Sequence, residues 1–248
     1  MTHATYPDLS GKLVVITGGG RGIGLATARR FLAQGSRVVV VDLAMTDPDL
    51  DAEFLPVDVT DAEAVEAAAS DVVARLGAPD VVLNAAGIVR SANAEDMTVA
   101  DWRQVVDIDL SGTFYVCQAF GRRMLDAGRG SVINIASMSG SISNFPQKQV
   151  SYNAAKAGVV HLTKTLAGEW ADRGVRVNSV SPGYIATDLT AALLEREPEL
   201  GVTWRERTPM GRLGTPDEVA SVILFLASEA SSFMTGSDVI ADGGYTVW

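Results

Sequence analysis

Short apolar runs rich in β-branched residues recur along the chain and alternate with longer stretches whose apolar positions repeat at helical period. The runs are KLVVIT, RVVVVD, AEFLPV, PDVVLN, GSVINIAS, VRVNSVS and SDVIAD. Within each, apolar residues follow one another instead of alternating, as in strands covered on both faces of a parallel sheet. The stretches between predict helices over 22–34, 62–75, 99–127 and 151–173. Strand and helix in this alternation predict a doubly wound α/β fold with helices on both faces of the sheet.

Two places break the rhythm. Only Leu43 to Ala52 separates the second run from the third, near the minimum for a parallel connection, so at most a stub of helix is expected there. Residues 188–212 form a weakly helical insertion holding Pro198, Trp204 and Pro209, and excursions of this length often serve as lids. No linker, repeat or charge block divides the 248 residues, so a single domain is expected over 1–248.

Composition narrows the function. With 20 Lys and Arg against 30 Asp and Glu, a formal charge of −10, the chain lacks the basic clusters that a nucleic-acid partner requires. The opening MTHATYPDLSG is polar, and no apolar run approaches the ~20 residues that span a bilayer, so a soluble, cytoplasmic protein without a membrane partner is expected. The single cysteine, Cys117, rules out an intramolecular disulfide and reads as a small buried hydrophobe in TFYVCQAF. His161 lies about half a turn around its helix from Tyr152, and His3 belongs to the N-terminal tail, so no zinc site is expected.

The first strand runs into TGGGRGIG and a helix. In that order a glycine turn reads as a phosphate cradle: Gly18 permits the turn, while Gly22 and Gly24 let a pyrophosphate and the neighbouring strand approach the helix start, whose free N–H groups favour an anion. Asp42 ends the second strand 18 residues after Gly24, close to where an acidic side chain receives ribose hydroxyls in dinucleotide folds. Its charge favours NAD over NADP, and no Arg or Lys follows it in DLAMTDP. Arg21 argues the other way, since a guanidinium in the glycine turn could receive a 2′-phosphate.

In SYNAAKAG, Tyr152 and Lys156 stand at i and i+4, on one helix face with adjacent side chains. A phenol titrates near ~10 and is a poor base at neutral pH, but a neighbouring ammonium favours the phenolate. Tyr152 then becomes a usable general base for alcohol oxidation.

TGGGRGIG (Thr17 to Gly24), NAAG (Asn84 to Gly87), YNAAK and SPGYIATDL (Ser181 to Leu189) together resemble, in order and spacing, the short-chain dehydrogenases/reductases, and the resemblance covers essentially the whole chain. It implies a seven-stranded Rossmann sheet, NAD(P)-dependent interconversion of alcohol and carbonyl, and a homotetramer. Tyr152 would then be the acid/base, and Lys156 would lower its pKa and hold the nicotinamide ribose. Family spacing favours Ser139 as the catalytic serine, whereas position at the strand end favours Ser137. Ser137 is preferred, with a two-residue insertion in SISNFPQKQVS, which leaves Ser139 and Asn144 as candidates for substrate hydroxyls. Ile23 and Leu43 fall among the cofactor contacts, Asp58 and Val59 match positions that touch adenine, and Asn84, Ala85 and Gly87 line the end of the fourth strand. Pro182, Gly183, Ile185 and Thr187 belong to the nicotinamide side, the last two fixing the carboxamide. The family's usual asparagine in VNL is replaced by Asp109 in IDL, which sets a negative charge near Lys156 and predicts an altered pH dependence.

SMSG, TWRERTPMGRLGTPDE and the terminal DGGYTVW resemble the branch acting on polyols, ketoses and vicinal diols. A 3-oxoacyl reductase using NADPH is the rival enzyme, and an NAD(H)-binding sensor without turnover the rival of another class. The apolar end with Tyr245, Val247 and Trp248 reads as a core plug or a subunit contact, the resemblance favouring the contact, and some relatives hold a magnesium ion near this terminus.

Overall fold

The computed structural model describes residues 4–247, with the side chains of all but Leu189 and Ala192; His3 and Trp248 lie outside the described residues. All seven apolar runs become strands: β1 Leu13–Thr17, β2 Arg37–Asp42, β3 Glu53–Pro56, β4 Val81–Asn84, β5 Gly130–Ile135, β6 Val175–Pro182 and β7 Asp238–Ala241. They form one parallel sheet in the order β3-β2-β1-β4-β5-β6-β7, with Val15 opposite Val39 on one side and Val82 on the other.

Alternate strand residues feed two cores, which is why apolar residues run on without a break. Leu13 and Val15 of β1 pack with α2 (Ala62–Leu76), α4 (Thr113–Ala127) and α5 (Val150–Trp170) through Val65, Val72, Val116, Phe120 and Trp170. Val14 and Ile16 face the other way, toward Ala28 and Phe31 of α1 (Gly22–Ala33) and Ile223 and Leu224 of α8 (Pro216–Ala227).

The structure departs from the sequence reading in three places. The stretch 99–127 is not one helix: α3 (Val99–Val106) and α4 are joined by a wider π turn, Asp107–Gly112, which carries Asp109 into the interior. The short β2–β3 connection, by contrast, contains no helix, in keeping with the expectation of a stub at most; Thr46 bonds through its N–H and hydroxyl to the Gly20 carbonyl, and Arg29 pairs with Asp47 at 2.7 Å. Residues 188–212 are more regular than expected, holding α6 (Asp188–Arg196) and α7 (Pro198–Arg207). The reading also passed over α8, although Thr215 to Glu218 is a capping box in the structure, with Pro216 in the first turn.

At the carboxyl ends of β1 and β4 the strand order reverses, and a crevice opens there.

Candidate active site

The glycines around this crevice differ in what they accommodate. A Cβ on Gly18 would lie 2.5 Å from the Ala86 nitrogen, one on Gly20 1.9 Å from the Ala44 carbonyl oxygen, and one on Gly24 2.2 Å from the Gly18 oxygen. Three of the glycines thus let backbone pack on backbone. Gly22, at φ +55°, has only Thr187 within 4 Å, at 3.7 Å, and borders open space. The residue preceding the helix, Arg21, makes no side-chain cap and is exposed, leaving the first N–H groups of α1 without one. Both features fit a dinucleotide pyrophosphate.

A groove of about 370 Å³ runs from this turn across the ends of β2, β4 and β5. Gly18, Arg21, Gly22, Ile23 and Gly24 line its start; Asp42, Leu43, Asp58 and Val59 line one end; Ala85, Gly87, Asp109, Tyr152 and Lys156 line the other. Asp42 accepts hydrogen bonds from the Gly20 N–H at 2.9 Å and the Leu43 N–H at 2.7 Å, which hold its carboxylate at the groove. Asp58 also ties its own turn, accepting from the Thr60 N–H and hydroxyl at 2.9 and 2.8 Å.

Asn84 does not line the groove. Its amide turns into the interior and donates to Asn134 Oδ1 at 2.8 Å and to Cys117 Sγ at 3.2 Å, while Asn134 Nδ2 donates to the Thr163 hydroxyl. Cys117 is fully buried as expected, yet it sits in a polar chain instead of a purely apolar one, and burial pushes its thiol up to about 12.

A second cavity, about 410 Å³, meets the groove at Ile23, Val89, Ile135, Tyr152 and Thr187. Ser137 and Ser139 both line it, but only Ser137 acts on the Tyr152 phenol, favouring its ionised form. Pro182, Gly183 and Ile185 border this cavity and not the groove, whereas Thr187 borders both. Asn144 lines it with its amide already committed, donating to the Tyr184 hydroxyl at 3.2 Å and accepting from Gln149 at 3.1 Å. Gln147, Gln149, Tyr184 and Trp204 are wall residues that the sequence reading did not assign; the amides of NFPQKQ were the available signal.

Behind Tyr152, the Lys156 ammonium lies 5.5 Å from the phenol ring, donates to the Ile135 carbonyl at 2.9 Å and stands 3.2 Å from Asp109 Oδ2. The other Asp109 oxygen accepts from the Ile88 N–H at 2.9 Å. Burial alone would pull the lysine down, but Asp109 and Tyr152 outweigh it and hold the ammonium above its ordinary value. Burial pushes Asp109 above the usual carboxylate range against the pull of Lys156. Lys156 pulls the Tyr152 phenol down as expected, but the expectation that the phenol ends below its ordinary value is corrected. Burial raises the phenol; Lys156 lowers it and Asp109 raises it again, so the net shift is upward, with Ser137 pulling slightly against it.

His161 is exposed, facing away from the site. Among the described residues no cluster of His, Cys, Asp and Glu could hold a metal ion, and Asp242, near the C-terminus, is spent on the Gly244 and Thr246 N–H groups. Among the described residues no helix is long and apolar enough to cross a membrane.

A family profile described as enoyl-(acyl carrier protein) reductase matches residues 18–246. Along the whole of both chains, the protein is 45% identical to a galactitol 2-dehydrogenase (L-tagatose-forming) of Cereibacter sphaeroides. The chain belongs to the short-chain dehydrogenase/reductase family. It is an NAD(P)-dependent oxidoreductase of alcohols and ketones. A D-threitol dehydrogenase of Mycolicibacterium smegmatis is 40% identical over 96% of this chain and 94% of its own. A gluconate 5-dehydrogenase from Burkholderia cenocepacia, solved with NADP and tartrate, superposes with a TM-score of 0.92 at 36% identity, covering 98% of both chains.

Proposed function

We propose that this short-chain dehydrogenase/reductase oxidises a secondary alcohol of a polyol, or reduces the matching ketone, with NAD. The observation that carries the reading is the second cavity, which sets the Ser137 and Tyr152 hydroxyls beside a wall of amides, Asn144, Gln147 and Gln149. These amides spend part of their hydrogen-bonding capacity on one another and on Tyr184, and a chain bearing many hydroxyls can take up the rest, whereas an acyl chain would cover that remainder without repaying it. Relatives named for galactitol and threitol dehydrogenation support the same class.

Gly22 and the start of α1 would hold the pyrophosphate, Asp42 the adenosine ribose, and Lys156 with Thr187 the nicotinamide end. Bound there, the dinucleotide supplies a hydride acceptor in oxidation and a donor in reduction. Ser137 holds the substrate oxygen by a hydrogen bond as charge develops on it. Tyr152 takes the alcohol proton in oxidation and returns it to the carbonyl oxygen in reduction. A phenol raised by burial keeps its proton at neutral pH, which suits reduction there and leaves oxidation to alkaline conditions. The Asp42 carboxylate disfavours a 2′-phosphate in the same groove, hence NAD over NADP.

Absorbance of reduced nicotinamide, followed with NAD and NADP over sugar alcohols, vicinal diols and 3-oxo esters, tests the reading. Turnover of polyols with NAD is expected. Turnover of 3-oxo esters with NADPH alone would move the protein to the acyl-reductase class, and tight NAD binding with no turnover to the sensors.

A further inference from the structure

Acids outnumber bases by 30 to 20 in the sequence, yet the charged side chains bordering the second cavity are two arginines, Arg90 and Arg196, and no described Asp or Glu joins them there. They come from separate elements: Arg90 from the connection between β4 and α3, Arg196 from the last position of α6. Both are exposed, so they stand at the open rim, whereas Ser137, on the same cavity, is buried. The reacting alcohol would therefore sit inside, with the cations at the mouth.

Neither guanidinium is spent on its neighbours. Arg90 is steadied by Gln104, which accepts from its Nε at 3.2 Å, and by the Val89 carbonyl, which accepts from Nη1 at 3.3 Å. Asp101 approaches Nε only to 3.8 Å, and Nη2 has no acceptor among the described residues. Arg196 makes no hydrogen bond or ion pair with a described residue, although Glu195 and Glu197 flank it in sequence. The helix dipole favours a cation at the end of α6, but it explains neither the second arginine nor the missing acids. A guanidinium offers a planar fork of donors that matches the oxygens of a carboxylate or a phosphate.

We propose that the preferred substrate is a polyol with an anionic end group, a carboxylate or a phosphate ester, which Arg196 and Arg90 hold at the rim while Ser137 and Tyr152 hold the reacting carbinol inside. This rests on the polyol reading and narrows it. A neutral polyol of equal length meets the same amide wall but leaves both guanidinium groups to water.

The test compares kcat/KM for an aldonate, a polyol phosphate and the neutral polyol of equal length, in wild type, Arg196→Gln, Arg90→Gln and Arg196→Lys. One of the anions should be preferred to the neutral polyol by roughly ten-fold, and which one identifies the end group. The preference should fall roughly five- to ten-fold in R196Q and R90Q, through KM and not kcat, the worth of a charge-assisted hydrogen bond partly open to water. R196K, which keeps the charge, should retain part of it. Added salt should shrink the wild-type preference and change that of R196Q less. No preference for either anion, a preference that survives both glutamine variants, or an equal loss for charged and neutral substrates overturns the inference and leaves the polyol reading intact. Calorimetry in saturating NADH separates the two ideas: an anionic polyol bound more tightly by wild type than by R196Q, with no turnover of any polyol, would sink the dehydrogenase reading and keep this one.

Discussion

In the mechanism we propose Tyr152 carries the chemistry, and three neighbours set its proton affinity in opposing senses. Burial and Asp109 raise it, Lys156 and Ser137 lower it, and the first pair prevails. Tyr152→Phe should lower kcat by about a hundred-fold or more while leaving NADH binding intact, which turnover and nucleotide fluorescence together would show. Asp109 is the adjustable member of the set. Because its charge raises the phenol, Asp109→Asn should move the rising limb of the pH–rate profile for alcohol oxidation to lower pH; a profile identical to wild type would show that the carboxylate does not act on the phenol. The sign follows from the phenolate being the base: a lower phenol pKa makes it available earlier as pH rises. The pairing of Tyr152 with Lys156 was legible from i, i+4 spacing, but the balance of shifts was not, since burial depends on what α3, the π turn and β5 stack around them.

At the scale of the element, strand and helix were readable because a parallel sheet buries both faces and leaves uninterrupted apolar runs. The break at 107–112 was not, because local periodicity continues through it while the wider turn is held from outside by the Ile88 N–H and Lys156. The glycine turn was recognised, although most of its glycines turn out to serve protein packing. Gly24→Ala would drive a methyl to within 2.2 Å of the Gly18 carbonyl and should cost about 1–3 kcal/mol in urea unfolding. Gly22→Ala meets open space and should show up mainly in NAD affinity, with a smaller stability loss from its positive φ.

Across the whole molecule, the reversal of strand order opens the crevice, and α6 and α7 close its flank by contributing Thr190, Leu193, Arg196 and Trp204 to the cavity wall. Apolar side chains remain at the surface of the 99–127 region, with Trp102 40% and Phe114 37% exposed. Together with the family resemblance, this leads us to expect a homotetramer; light scattering should return a mass near four chains, and a monomer's mass would count against it. The −10 charge bears on this scale alone, disfavouring polyanionic partners and saying nothing about the site.

The amino-acid order by itself determined the layered sheet, the nucleotide turn, and the Tyr152 and Lys156 pair, because each is written in neighbours along the chain: uninterrupted β-branched runs, glycines at fixed intervals, a four-residue step on a helix. Only the tertiary structure decided that Ser137 and not Ser139 bears on the proton affinity of the phenol, that Asn84 faces the core, and that an indole from α7 joins residues of β5 and α5 at one cavity. Those outcomes depend on burial and on contacts between segments far apart in sequence, which no local pattern encodes.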